Sequence, residues 1–114
     1  MDKIVRKSDI NISVSLSEDK LPLAISWKAD DSGIDGDRQS KAIMIALFDQ
    51  QEQTTMRIDL WTQEMMVEEM QLFFYETLAS MADTYERATN DKDLSADMRN
   101  FARSFGERLK IIRP

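Results

Sequence analysis

The chain has no cysteine and no histidine. Without cysteine there are no disulfides and no thiol chemistry, and no bridge framework signals secretion. Without histidine as well, Ser/His/Asp and Cys/His catalysis, ordinary zinc sites and the usual general base near neutral pH all drop out. Carboxylates, lysines and hydroxyls are left to carry any chemistry. A long apolar run is also missing: the N-terminal "MDKIVRKSDI" carries Lys3, Arg6 and Lys7, but only Ile4-Val5 where a signal peptide would need an extended hydrophobic stretch. No membrane span is expected, and a cytoplasmic location follows unless a leader has been trimmed.

What is present suits one soluble domain over residues 1–114, with residues 1–8 as a flexible N-terminal segment. The content is 42% hydrophobic and 32% charged, ordinary for a globular protein. Fifteen basic against twenty-one acidic residues give a net charge of -6. No cluster of Lys and Arg is interleaved with aromatics as a phosphate-tracking groove would need, so nucleic acid is not expected as a partner.

Periodicity orders the chain into strands and then helices. Ile10, Ile12, Val14 and Leu16 alternate with Asn11, Ser13 and Ser15, the period of a half-buried strand. After the turn "SEDKLP", Leu23, Ile25, Trp27 and Ala29 repeat the alternation and predict an antiparallel partner. "KAIMIALFD" is apolar from Ala42 to Phe48, as in a strand covered on both faces, although a buried helix has the same signature. "TMRIDLW" alternates again and predicts a second hairpin. Four strands in an antiparallel meander are the simplest arrangement.

Beyond Trp61 the period becomes helical. Val67, Met70, Phe74, Thr77, Leu78, Met81, Tyr85 and Ala88 trace one stripe of a helix from about Met66 to Thr89, with Glu68 and Glu69 in its first turn. "TNDKDL" breaks it, and Ser95 is the expected N-cap of a second helix striped by Met98, Phe101, Ala102, Phe105, Leu109 and Ile112. The expected fold is α+β: a four-stranded antiparallel β-meander followed by two amphipathic helices packed on the face made by Ile12, Val14, Ile25, Trp27, Ile45, Leu47, Ile58 and Leu60. The opposite face carries Met44, Phe48 and Trp61, too apolar for water, and marks a candidate interaction surface unless the long loop or the N-terminal segment covers it.

The stretch "KADDSGIDGD", Lys28 to Asp37, holds four aspartates and two glycines. As a calcium loop starting at Asp31 it would place Gly33 third and Ala42 twelfth, so two ligands are missing, including the bidentate one. Adjacent exposed aspartates lack the contrast of environments that acid/base catalysis needs. A P-loop would need the Lys-Ser/Thr that is absent here. The plainer reading is a solvated turn with glycines at unusual backbone angles and aspartates capping local amides. Connecting residues from Asp30 to Lys41 is long for a hairpin, and long ordered loops are often functional; Asp31, Ile34 and Asp35 therefore join the candidate surface, with Ile34 as an anchor under the loop. Among eight methionines, Met70, Met81 and Met98 fit helix core stripes, while Met44, Met65 and Met66 are less easily placed.

"ISWKADDSGIDG", "KAIMIALFD", "MRIDLWTQEM" and "MADTYERATND" resemble, in the same order and at similar spacing, the gliding-motility proteins called GldC. The resemblance runs from about Ser8 to Leu109 and leaves "MDKIVRK" and "KIIRP" outside. It implies a small soluble protein that supports surface gliding of bacteria alongside envelope-associated gliding and secretion machinery, with no catalytic activity and no cofactor. The resulting expectation is a non-enzymatic accessory or adaptor protein acting through contacts with protein partners of that machinery, and capable of forming a homo-oligomer. A SecB-like chaperone for unfolded clients, suggested by the order of strands and helices, is the rival.

Overall fold

The computed structural model describes residues 2–113, which fall into two compact units, one up to Met65 and the other from Met66. The first is all β. β1 (Ile10–Leu16), β2 (Pro22–Ala29) and β3 (Arg38–Ser40) form one antiparallel sheet in that order, and β4 (Ala42–Phe48) and β5 (Thr55–Trp61) form a second. Both expected hairpins exist, but they do not join into a four-stranded meander. The cause is β3: Arg38, Gln39 and Ser40 pair with Trp27, Ser26 and Ile25, occupying the edge of β2 that β4 would need. The long loop after β2 is thus shorter than the spacing implies.

Register confirms which residues share a face. Ile10 lies opposite Ala29, Ile12 opposite Trp27 and Val14 opposite Ile25, so the apolar rows of β1 and β2 coincide, and on the other side Asn11, Ser13 and Ser15 face Lys28, Ser26 and Ala24. Ile25 is fully buried. A bulge follows Ser15, where Leu16 pairs with Pro22 and Leu23 is skipped. The turn closes through Ser17 N–H to Leu21 carbonyl at 2.9 Å, with Lys20 in the left-handed region at φ 62°.

In the second sheet Ile43 faces Leu60, Ile45 faces Ile58 and Leu47 faces Met56, one apolar ladder. Its turn is organised by Asp49, whose carboxylate accepts the Gln51 and Glu52 N–H groups at 3.1 and 2.8 Å. β4 is not covered on both faces along its length: Ala42 to Ile45 are half-buried, whereas Ala46 to Phe48 are exposed.

The second unit is a helical hairpin. α1 (Val67–Thr89) starts where the Glu69 carboxylate reaches back to the Met66 N–H at 3.0 Å, and stops at Asn90, which takes φ 59° and donates to the Glu86 carbonyl. α2 (Lys92–Arg108) is capped by Asp91, whose carboxylate accepts the Leu94 N–H at 3.1 Å. Ser95 is therefore not the N-cap. It lies one turn into α2, fully buried, and its hydroxyl donates to Glu86 and to the Lys92 carbonyl.

The buried positions of the hairpin are small: Ala82 on α1, and Ser95, Ala102 and Gly106 on α2. Spacings of seven and four residues keep the α2 set on one side, and small residues there let the two backbones approach. Phe74, Met81 and Phe101, expected in the core stripes, are instead 44%, 50% and 60% exposed.

Candidate protein-interaction surface

The second face of the β4–β5 sheet holds Met44, Phe48 and Trp61, and the register separates them. Phe48 lies opposite Thr55 at one end and Trp61 opposite Ala42 at the other, about 20 Å apart at the usual rise per residue. Met44 sits between them opposite Asp59, half-buried, while Phe48 and Trp61 are 66% and 56% exposed. Arg57 and Asp59, two residues apart and so on this same face, form an ion pair at 2.7 Å in the middle. The Arg57 hydrogen bond holds the Asp59 carboxyl below the usual carboxylate range, and Asp59 in turn raises the Arg57 guanidinium. Two aromatic ends divided by a charged centre replace a continuous apolar patch.

Beside Trp61 lies a cavity of about 260 Å³ lined by Leu21, Pro22, Leu60 and Thr62 among others. Its position follows from the ladder: the Thr62 N–H donates to the Lys41 carbonyl at 2.8 Å, extending the β4–β5 pairing by one step and drawing the Thr62 side chain inward. Thr62 is 4% exposed and its hydroxyl has no hydrogen-bond partner among the described residues. Leaving such a group unpaired costs about 1–3 kcal/mol. Nothing in "LWTQ" distinguishes this threonine from a surface one, so sequence reasoning passes over it.

The acidic loop is tied to the N-terminal segment. Asp30 donates its backbone N–H to the Asp9 carbonyl at 3.0 Å and accepts the Asp9 N–H on its carboxylate at 2.9 Å. Asp31 pairs with Arg6 at 3.2 Å. Hydrogen bonds from Ser8 first and Arg6 second hold its carboxyl below the ordinary value. Gly33 and Gly36 take φ 77° and 74°, and the Ser32 hydroxyl donates to the Ala29 carbonyl at 2.8 Å while accepting the Ile34 N–H. Ile34 is half-buried and Asp35 is exposed. Among the described residues no three Asp or Glu side chains converge on a site that could hold a metal ion.

On the helical hairpin, Arg99 bridges Asp83 at 3.0 Å and Glu86 at 2.9 Å. The Arg99 hydrogen bond, followed by that of Ser95, lowers the Glu86 carboxyl. These shifted groups are paired on the surface and lie in no cleft. No helix among the described residues is long and apolar enough to cross a membrane.

Two small antiparallel sheets followed by a helical hairpin define an α+β protein with its helices at the C-terminal end. Residues 22–111 match the family model described as gliding motility-associated protein GldC-like, and the chain belongs to that family. The match starts at the first residue of β2, so β1 lies outside it. No curated protein and no solved structure matches the chain.

Proposed function

We propose that this protein is a non-enzymatic adaptor that supports gliding motility by holding a protein partner of the gliding or secretion machinery, in the cytoplasm. Membership of the GldC-like family supports the link to gliding. The cavity beside Trp61 carries the contact itself. It is apolar, of a size for one or two side chains, rimmed by an exposed tryptophan, and lined by Thr62, whose buried hydroxyl has no partner among the described residues. A partner segment inserting an apolar side chain there would bury the Trp61 ring, and its backbone carbonyl would accept from the Thr62 hydroxyl. Phe48, at the far end of the same face, provides a second contact. A sequence without histidine or cysteine, whose shifted carboxylates are all in surface ion pairs, supports a binding role over a catalytic one.

Co-purification from a gliding strain tests this. The wild-type chain should enrich a component of the motility or secretion machinery, and Trp61→Ala should lose it while the fold persists by circular dichroism. Thr62→Val is the sharper variant: removing an orphaned hydroxyl should leave stability equal or higher and still weaken the partner. Retention of the partner by both variants would remove this surface. Suppressed aggregation of unrelated denatured proteins, without a specific partner, would favour the chaperone reading.

A further inference from the structure

We infer that the outer edge of β1 is a self-pairing edge, through which two copies of this chain join antiparallel about a two-fold axis at Ser13. The direction of the backbone groups comes from one hydrogen bond. Asp30 donates to the Asp9 carbonyl, so Asp9 directs its backbone groups at the β2 side, and by alternation Asn11, Ser13 and Ser15 do the same. Ile10, Ile12 and Val14 therefore turn their N–H and C=O groups to the open side. Pairing across that side needs a register that sets these residues opposite one another.

Centring on Ser13 meets this condition and uses the whole strand. Ile12 then opposes the partner's Val14, Ile10 opposes the partner's Leu16, and Asn11 opposes the partner's Ser15. Apolar side chains meet apolar ones on one face and hydroxyl or amide groups meet on the other, as an isologous contact requires. A shift by one residue would set each apolar row against a polar one.

Among the described residues nothing blunts this edge. No charged residue, proline or outward bulge interrupts Ile10 to Val14, and six of the seven residues of β1 are exposed, with Ile10 at 73%. An uncharged, exposed edge strand of this length is a template for pairing with another chain. β5 also has an open edge, but Arg57 and Asp59 interrupt it, and in β4 the first four residues are already half-buried.

The absence of native cysteine makes the test direct. On the axis, Ser13 and its copy form a non-hydrogen-bonded pair with Cα atoms about 4.5 Å apart, inside the disulfide window of about 4.4–6.8 Å. Wild-type protein should have twice the chain mass by light scattering. Ser13→Cys should cross-link to a dimer under mild oxidation, whereas Asn11→Cys alone, displaced from its copy by four residues, should not; mixed with Ser15→Cys it should. Ser13→Lys and Ser13→Glu should each be monomeric and should form a heterodimer when mixed. A wild-type monomer at high concentration, or a dimer that persists in Ser13→Lys, overturns the proposal, as does equal cross-linking by Ser13→Cys and Asn11→Cys.

Discussion

Gly106 of α2 lies directly against the ring of Tyr75 of α1: a Cβ at that position would fall 2.6 Å from Tyr75 Cε1 and 3.2 Å from Ile112 Cγ1. The glycine is there for space and not for backbone freedom. Gly106→Ala gains about 1 kcal/mol of helix propensity, but overpacking costs about 1–3 kcal/mol. A net loss of about 1 kcal/mol is expected by urea denaturation, and in Tyr75→Ala the same change should become stabilising. A double-mutant cycle should give a coupling above about 0.5 kcal/mol.

Acid should loosen the hairpin through Glu86. Its carboxyl is lowered in the folded state by Arg99 and then Ser95, so the stability it contributes is complete above the unfolded carboxylate value and is lost as pH falls through the folded one. Denaturation midpoints measured downward from pH 5 should decline, and Arg99→Met should flatten that decline. NMR titration should place the Glu86 carboxyl below the ordinary glutamate value.

The tie between Arg6, Ser8 and Asp31 should govern local order more than global stability. Asp31→Asn removes the charge that both groups address, on an exposed side chain. Amide exchange at Asp9 and Asp30 should quicken, with the thermal midpoint almost unchanged. The same exchange rates should respond to Arg6→Ala.

Gly33 and Gly36 differ from Gly106 in kind. Space around each is open, and only their positive φ excludes a side chain. Alanine at either should cost about 1–2 kcal/mol, and asparagine less, because asparagine tolerates the left-handed region. Calorimetry on the four single variants decides the order.

Legibility in the sequence followed the size of the side chains. The alternation of Ile12, Val14, Ile25 and Trp27 declared β1 and β2, and the helical step from Met66 to Thr89 placed α1 within a residue of its observed start. Large residues announce themselves by period. β3 could not be found this way, since Arg38, Gln39 and Ser40 carry no apolar row and are a strand only because β2 offers them an edge. The buried side of the hairpin was read only in part for a related reason: Ala102 and Phe105 of the expected stripe do turn inward, but Ala82 and Gly106 also sit there, while the bulkier Phe74, Met81 and Phe101 stay exposed. At the candidate surface, alternation alone puts Met44, Phe48, Trp61, Arg57 and Asp59 on one face, but it does not show that Arg57 and Asp59 close an ion pair in the middle of it. Thr62 needed the cavity to be seen at all.

The three residues of β3 also decide how far assembly can proceed. A sheet with two open flanks adds copies without limit, as a fibre does. Here one flank ends in a short strand headed by Arg38, too brief and too charged to recruit another chain. Growth from the β1 flank alone stops after a single addition, so the same segment that breaks the expected meander makes this sheet a terminating partner and keeps it from polymerising.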